Sequence, residues 1–492
     1  MTQLTSTCNS SCTASIHILD DYSILHIFYL YRPYILGEDQ DDNVRIMGGG
    51  QWAGERWWFR LAHVCQRWRS LILGSASYLG LCLVCTYGTP VADMLAHSPP
   101  LPLVIDYYGH DITAEDEEAI ILALAQQDRV RRIRFRMPVR KLQNLIMAID
   151  GEYPILEYLI LSDPSKAKST VLLLPETLQT PHLHHLTISC SIPTRPQLLT
   201  TAAGLVTLHL ALYHPSTYFQ PTVLLQLLSL MHQLEVFLIL FHFAVPNRDV
   251  ERQLMRTPIT THVTLPNLRT FALRAVCAYS EAVLSGITAS CLEIFQVSYF
   301  KKITFFVPQL LQFMGRTENL RSDSAVLNFS GRRVYVKVNR PETDIPLETD
   351  TSVSMAAFAI SVDCWHLDWQ VSSAAQIFTA LSQILSAVEH LTLTHKAHSQ
   401  SSEEHNEVDR TEWLKLLRSF SNVKTLNIEK GLVRELSHCL RLEDGENPLE
   451  LLPELQKLIY PGNSFAGAAF TSFIDARQNT GRPVTLIISN LK

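Results

Sequence analysis

The sequence predicts an α/β chain in two parts. A short helical module comes first. A solenoid of stacked strand–turn–helix units follows, with short parallel strands on the concave side and helices on the convex side. Three observations predict this. An apolar spacing of three positions and then two recurs between residues 130 and 460. Segments with apolar residues three and four apart lie between the copies. The first 75 residues carry helical spacing without that repeat.

Residues 1–14 are polar and read as a disordered lead. The helical module spans 15–75, with a long connection at 31–56. Asp20 or Asp21 is the expected N-cap. Ile24, Leu25, Ile27 and Phe28 then form an apolar stripe. After the connection, acidic and then glycine-rich, Trp57 to Ile72 reads as one second helix ending at Gly74. Its Leu61, Val64, Cys65, Trp68, Leu71 and Ile72 lie three or four apart. Two helices of roughly 35 residues in all cannot build a rich core by themselves. Burying six such side chains would gain roughly 9–18 kcal/mol against an association cost of about 4–15 kcal/mol. The module is therefore expected to be completed by a partner.

The solenoid is expected over 76–492. Its copies are Val130-Ile133-Phe135, Leu156-Leu159-Leu161, Leu183-Leu186-Ile188, Leu205-Leu208-Leu210, Leu234-Phe237-Ile239, Leu268-Phe271-Leu273 and Leu292-Phe295-Val297. After a gap come Val388-Leu391-Leu393, Val423-Leu426-Ile428 and Leu455-Leu458-Tyr460. Residues three and five apart in a strand cannot all share one face unless the chain bends where it enters. A bent lead-in and a short strand are what a leucine-rich repeat requires, and such units bury their apolar faces only by stacking. The repeats are irregular over 299–370. There Val334 to Val338 alternates like a paired strand, and Asn339 to Thr351 reads as a loop. His395 to Arg410 reads as a mobile insertion.

Composition narrows function. The 41 Lys and Arg against 47 Asp and Glu give a net charge of −6, which argues against a general nucleic-acid binder. The N-terminus lacks the pattern of a secretory signal, and the most apolar window, Val223 to Val245, carries Gln226, His232, Glu235 and His242, so no membrane span is expected. Ten scattered Cys read as reduced thiols, which points to the cytoplasm, the nucleus or both. No Walker loop, GxGxxG, HExxH or GxSxG pattern appears, so neither an enzyme nor a cofactor or metal site is expected. Cys82 and Cys85 form a lone CxxC on an expected strand, where residues three apart face opposite sides. Thr113 with Glu115 to Glu118 reads as a capped helix start rather than as catalytic carboxylates.

The repeat frame does suggest a gripping surface. Arg132, Arg134 and Arg136 alternate with inward Ile133 and Phe135 and would face outward, suited to an acidic or phosphorylated segment. Tyr158, His184, His185 and Arg274 are further candidates on that surface.

The residues Ile18-Leu19, Ile24-Leu25 and Ile27-Phe28, followed by Leu61 to Arg69, resemble an F-box. Further stretches, among them Thr86 to Val91, Leu101 to Tyr107, Leu367 to Ser373 and Ala476 to Gln478, are similar to the large F-box family of mushroom-forming fungi. The resemblance implies a non-catalytic substrate-recognition adaptor. It would dock on a Skp-family protein, and through it on a cullin–RING ubiquitin ligase, and would hold an unknown protein substrate on the repeats. The positions matching the Skp-facing pattern are Leu19, Ile24, Leu25, Ile27, Phe28, Leu61, Val64, Cys65 and Trp68. The chain departs from the pattern at Asp20, where proline is usual, at Tyr22 and Ser23, and in the long 31–56 connection. The alternative is a repeat scaffold whose degenerate F-box does not engage Skp.

Overall fold

The computed structural model describes residues 18–31, 57–108, 111–164, 173–190, 196–214, 218–243, 259–300, 307–317, 320, 323–339, 357–396, 408–441, 443, 446–461 and 470–489. The expected N-terminal lead, residues 32–56 of the long connection, the loop after Asn339 and residues 397–407 of the expected insertion lie outside them. The fold is mixed α/β, with a large, mostly parallel sheet and about fifteen helices. The chain divides into two compact units, Met1–Met137 and Pro138–Lys492.

In the first unit, helix α1 (Asp21–Tyr31) starts at Asp20. The Asp20 carboxylate accepts the backbone N–H of Ser23 (2.8 Å) and its hydroxyl (3.0 Å), satisfying a donor that the first turn leaves over. The two departures at Asp20 and Ser23 are thus one capping pair. The single second helix expected over 57–72 is instead two: α2 (Trp57–Ala62) and α3 (Gln66–Gly74). Cys65 breaks them. It is extended, and its Sγ accepts from the Trp68 backbone N–H at 3.5 Å as the N-cap of α3. The Arg69 guanidinium donates to the Ala62 carbonyl (3.0 Å) and closes the end of α2. Helix α4 (Ala76–Leu79) stops at Gly80, whose φ of 62° favours a residue without Cβ. Strands β1 (Leu83–Cys85), β2 (Leu103–Tyr108) and β3 (Val130–Arg136) then pair in parallel in that order. Helices α5 (Val91–His97) and α6 (Ala114–Leu124) connect them, and α6 opens with a Thr113–Asp116 capping box. The Trp58 indole donates to the carbonyl of Cys82, just before β1, and the division between the units falls after β3 rather than at residue 75.

The second unit begins with α7 (Val139–Ala148), β4 (Tyr158–Ser162), β5 (His185–Ser189), α8 (Pro196–Thr201), β6 (Thr207–Leu212), α9 (Pro221–Leu228) and β7 (Val236–Phe241). It continues with β8 (Val263–Thr264), β9 (Thr270–Ala275), α10 (Cys277–Ser285), β10 (Ile287–Thr288), β11 (Ile294–Phe300), α11 (Pro308–Gly315), β12 (Ser324–Ser330), β13 (Arg333–Asn339) and β14 (Phe358–Asp363). It closes with α12 (Leu367–Leu385), β15 (His390–Lys396), α13 (Arg410–Arg418), β16 (Thr425–Ile428), α14 (Val433–Leu440), β17 (Lys457–Pro461), α15 (Thr471–Asn479) and β18 (Thr485–Ser489). Its main sheet runs β4-β5-β6-β7-β9-β11-β14-β13-β12-β15-β16-β17-β18 and does not close into a barrel, while β8 and β10 pair apart.

The three-then-two spacing is the core. Every residue of the ten copies is at most 2% exposed. The leading residue of most copies sits in a turn just before its strand. The backbone N–H groups of Leu156, Leu183, Leu205, Leu234, Leu268, Val388 and Leu455 each donate to the carbonyl three residues back. That turn rotates the leading side chain onto the strand's buried face. In β3 an extra residue does the same work: Val130 pairs with Leu103 but Arg132 with Val104, so the bulge aligns Val130 with Ile133. Along β4, β5 and β16 the residues between are half-buried, so one face of these strands is packed and the other largely open. Parallel sheets are ordinarily covered on both faces.

The irregular stretch 299–370 contains an antiparallel meander. The expected strand Val334–Val338 is β13, and it runs antiparallel to both β12 and β14. Strands β12 and β14 in turn run parallel to β15 and β11. The strand after β11 in space is therefore β14, not the next in sequence.

Candidate functional site

Among the helices of the first unit, apolar side chains divide into two sets. Ile24 and Phe28 are each 1% exposed, and the Phe28 ring meets Trp68 edge-on with centroids 4.8 Å apart. They form the module's own core and correct the expectation that they face a partner. Cys65 turns its sulfur to the α3 backbone, and Leu25, Leu61 and Trp68 are half-buried. Leu19, Ile27 and Val64 do face outward, with Val64 59% exposed. Sequence spacing missed the rest of this surface: Ile18 at 81%, Tyr22, Tyr29, Leu30 and Tyr31 are exposed as well. Arg67 ties the two parts together, donating from Nη2 to the Leu19 carbonyl (2.7 Å) and to Asp21 Oδ1 (2.6 Å). No local signal links residues 46 apart.

On β3 the arginines are not an open row of charges. Arg134 lies 3.9 Å from Asp106, and its guanidinium sits 4.0 Å above the Tyr108 ring, with that of Arg136 at 5.1 Å. All three arginines are half-buried, and Arg132 Nε is enclosed. The Tyr108 ring face takes up Arg134 and Arg136, and the Asp106 carboxylate lies beside Arg134.

In the second unit the face opposite the ten copies carries Tyr158 and His185 on β4 and β5, where it is largely open, and Arg274 on β9, where Leu238 and Ala272 on the same face are buried. The Tyr158 and His185 rings stack 4.2 Å apart on neighbouring strands. His184 precedes β5 and lies beside Gly204, where an added Cβ would stand 3.7 Å from its ring. Nearby on that face Tyr213 and His242 also stack, 4.2 Å apart. His209 is half-buried, both its ring nitrogens are enclosed without a hydrogen-bond partner, and burial pushes its pKa down to about 4.

Arg274 belongs to a larger cluster. Its Nη2 donates to Asp363 Oδ2 (2.6 Å), while Arg333 Nε donates to Asp363 Oδ1 (2.7 Å). The Arg274 guanidinium lies 5.0 Å over the Phe300 ring. Burial lowers the Arg274 pKa, and the Asp363 carboxylate opposes that shift. The pairing spans 89 residues, so nothing local in the sequence announces it. Beside it Arg332 sits 4.7 Å over Trp365, which is 64% exposed.

Among the described residues no group of three His, Cys, Asp or Glu side chains is placed to hold a metal ion, and Cys82 and Cys85 are both buried, neither in a disulfide. No described helix is long and apolar enough to cross a membrane. Comparison of the chain with family models gives no match, and comparison with curated proteins gives none.

Proposed function

We propose that the chain is the substrate-recognition adaptor of a Skp–cullin–F-box ubiquitin ligase. In this reading the N-terminal helices are an F-box that docks on a Skp-family protein. The following strands are an irregular leucine-rich-repeat solenoid whose open face holds a protein substrate, and the chain itself catalyses nothing. The observation that carries the reading is the outward apolar set Ile18, Leu19, Ile27, Leu30 and Val64, left over after Ile24, Phe28 and Trp58 have filled the interior. A fully exposed side chain of this size is worth about 1.5–3 kcal/mol when a partner removes it from water, and Leu19 and Ile27, 36% and 41% exposed, contribute proportionately less. The order of stretches that resembles an F-box lends further support, as do the ten buried copies, most of them with a turned lead-in.

Purified Skp protein tests the reading by pull-down. Ile27→Asp and Val64→Asp change exposed positions, so both variants should stay folded by circular dichroism and lose capture at least 10-fold. Ile24→Asp or Phe28→Asp would not discriminate, since both side chains are internal. The burial of Ile24 and Phe28 also favours a second reading, a repeat scaffold that does not engage Skp. Failure of the folded wild-type chain to capture Skp selects it.

A further inference from the structure

The Arg274–Asp363–Arg333 cluster stands at a particular place in the sheet. Arg274 is one residue from the end of β9, Phe300 ends β11, Asp363 ends β14 and Arg333 begins the antiparallel β13. Phe300 pairs with Asp363 and Asp363 with Arg333 across the strands. These are the carboxyl ends of the parallel strands at the point where strand order departs from sequence order, since β12 is displaced two places by β14 and β13. In open α/β sheets ligands bind at the carboxyl ends of strands where the order switches.

The charges there do not cancel. Two guanidinium groups share one carboxylate, which leaves one positive charge over the three. Each guanidinium has five N–H donors in a planar fork, and Asp363 accepts from one nitrogen of each. Arg274 Nε is enclosed with no hydrogen-bond partner. That nitrogen is out of reach of a ligand, but the side chains of Arg274 and Arg333 keep 20% and 34% exposure, and their outer N–H groups suit a bidentate contact to a carboxylate or phosphate. A small anion would need only the arginines. Two residues after Asp363, however, the chain reaches Trp365, which is exposed and lies under the Arg332 guanidinium, and Trp369 in the first turn of α12 is exposed as well. Exposed tryptophan with arginine is the composition of protein-contact hot spots. We infer that Arg274, Arg333 and Trp365 form a recognition site for an acidic peptide segment, whose oxyanion meets the two guanidiniums while an adjoining apolar side chain covers Trp365.

This deepens the adaptor reading, since it rests on the open face holding a protein, but it does not depend on the N-terminal docking. The test titrates the full chain, without Skp, into three fluorescein-labelled octapeptides that share one leucine. One carries two adjacent glutamates, one two phosphoserines and one two glutamines. The glutamate or the phosphoserine peptide should bind at least 10-fold tighter than the glutamine peptide, and which of them does so identifies the oxyanion. Arg274→Gln with Arg333→Gln should abolish the preference, and Trp365→Ala should weaken binding at least 3-fold. Asp363→Asn removes the competing carboxylate and should tighten acidic binding, so the site stays testable should the double variant fail to fold. Equal affinity for charged and neutral peptides, or indifference of a folded Asp363→Asn variant, overturns the inference. Loss of Skp capture with peptide preference intact would sink the adaptor reading and leave this site standing.

Discussion

Two titratable side chains are held far from their ordinary ionisation. Glu281 on α10 accepts the backbone N–H groups of Gln309 (2.7 Å) and Leu310 (3.1 Å) at the start of α11, yet burial outweighs those bonds and raises its pKa to about 7. His209 is shifted the other way, to about 4. For Glu281 the folded chain holds a proton that the unfolded chain releases above about 4.5, so its contribution to stability declines as pH rises from 4.5 to 7. For His209 the unfolded chain takes a proton below about 6.5 that the folded chain refuses until about 4, so its contribution declines as pH falls through that range. The two slopes oppose each other across mildly acidic pH. Glu281→Gln should uncouple them: relative to wild type, the variant gains on the order of 2–3 kcal/mol between pH 4.5 and 7. Chemical denaturation at half-unit pH steps measures this, and a variant whose offset from wild type stays constant with pH refutes it. Neither shift was legible in the sequence, because Glu281 and His209 look like ordinary polar residues until the packing around them is known.

At the scale of elements, buried polar side chains hold loop backbones in place. Gln370, on the first turn of α12, donates through Nε2 to the Ser330 (2.6 Å) and Cys364 (2.9 Å) carbonyls and so fastens the ends of β12 and β14. Arg477 on α15 is fully buried, and its guanidinium donates to the Pro448, Pro453 and Leu455 carbonyls. Both residues lie in stretches that carry the F-box resemblance, and these bonds give each a structural reason to be there. Charge-assisted hydrogen bonds are worth about 1.5–3 kcal/mol each. Arg477→Met keeps the volume and loses all three, so it should cost about 3 kcal/mol or more in urea unfolding, and Arg477→Lys, a point charge, should recover less than half. A methionine variant within about 1 kcal/mol of wild type would show the carbonyls find other donors. The apolar spacing made the ten strands legible because it depends only on the residues within each unit. The break at Cys65 was not legible, since a thiol acting as a helix cap looks the same in sequence as a core cysteine.

For the whole molecule, stability should vary along the sheet. Strands β9 and β11 are flanked on both sides and packed by Phe237, Phe271, Phe295 and Phe313, whose rings touch in series. Strand β18 is hydrogen-bonded to β17 alone, and Ile487 and Ile488 are exposed. Amides that open only with the core exchange slowest. Hydrogen exchange should therefore be at least 100-fold slower in Thr270–Ala275 than in Thr485–Ser489; equal protection would mean the sheet opens as one unit. The strand order that governs this was only partly readable. Repeats imply neighbours, but the meander is fixed by long-range pairing of Val334, Val336 and Val338, which a local pattern marks as strand without saying where it docks.

That reversed order also bears on how the chain is made. Most strands here find their parallel neighbour in the next unit synthesised, but β11 must wait for β14, until residues 301–357 have emerged. At about 5–20 residues per second this leaves its edge without a partner for roughly 3–12 s. During translation that interval is when the nascent protein is most open to pairing with the wrong strand or to capture by a chaperone.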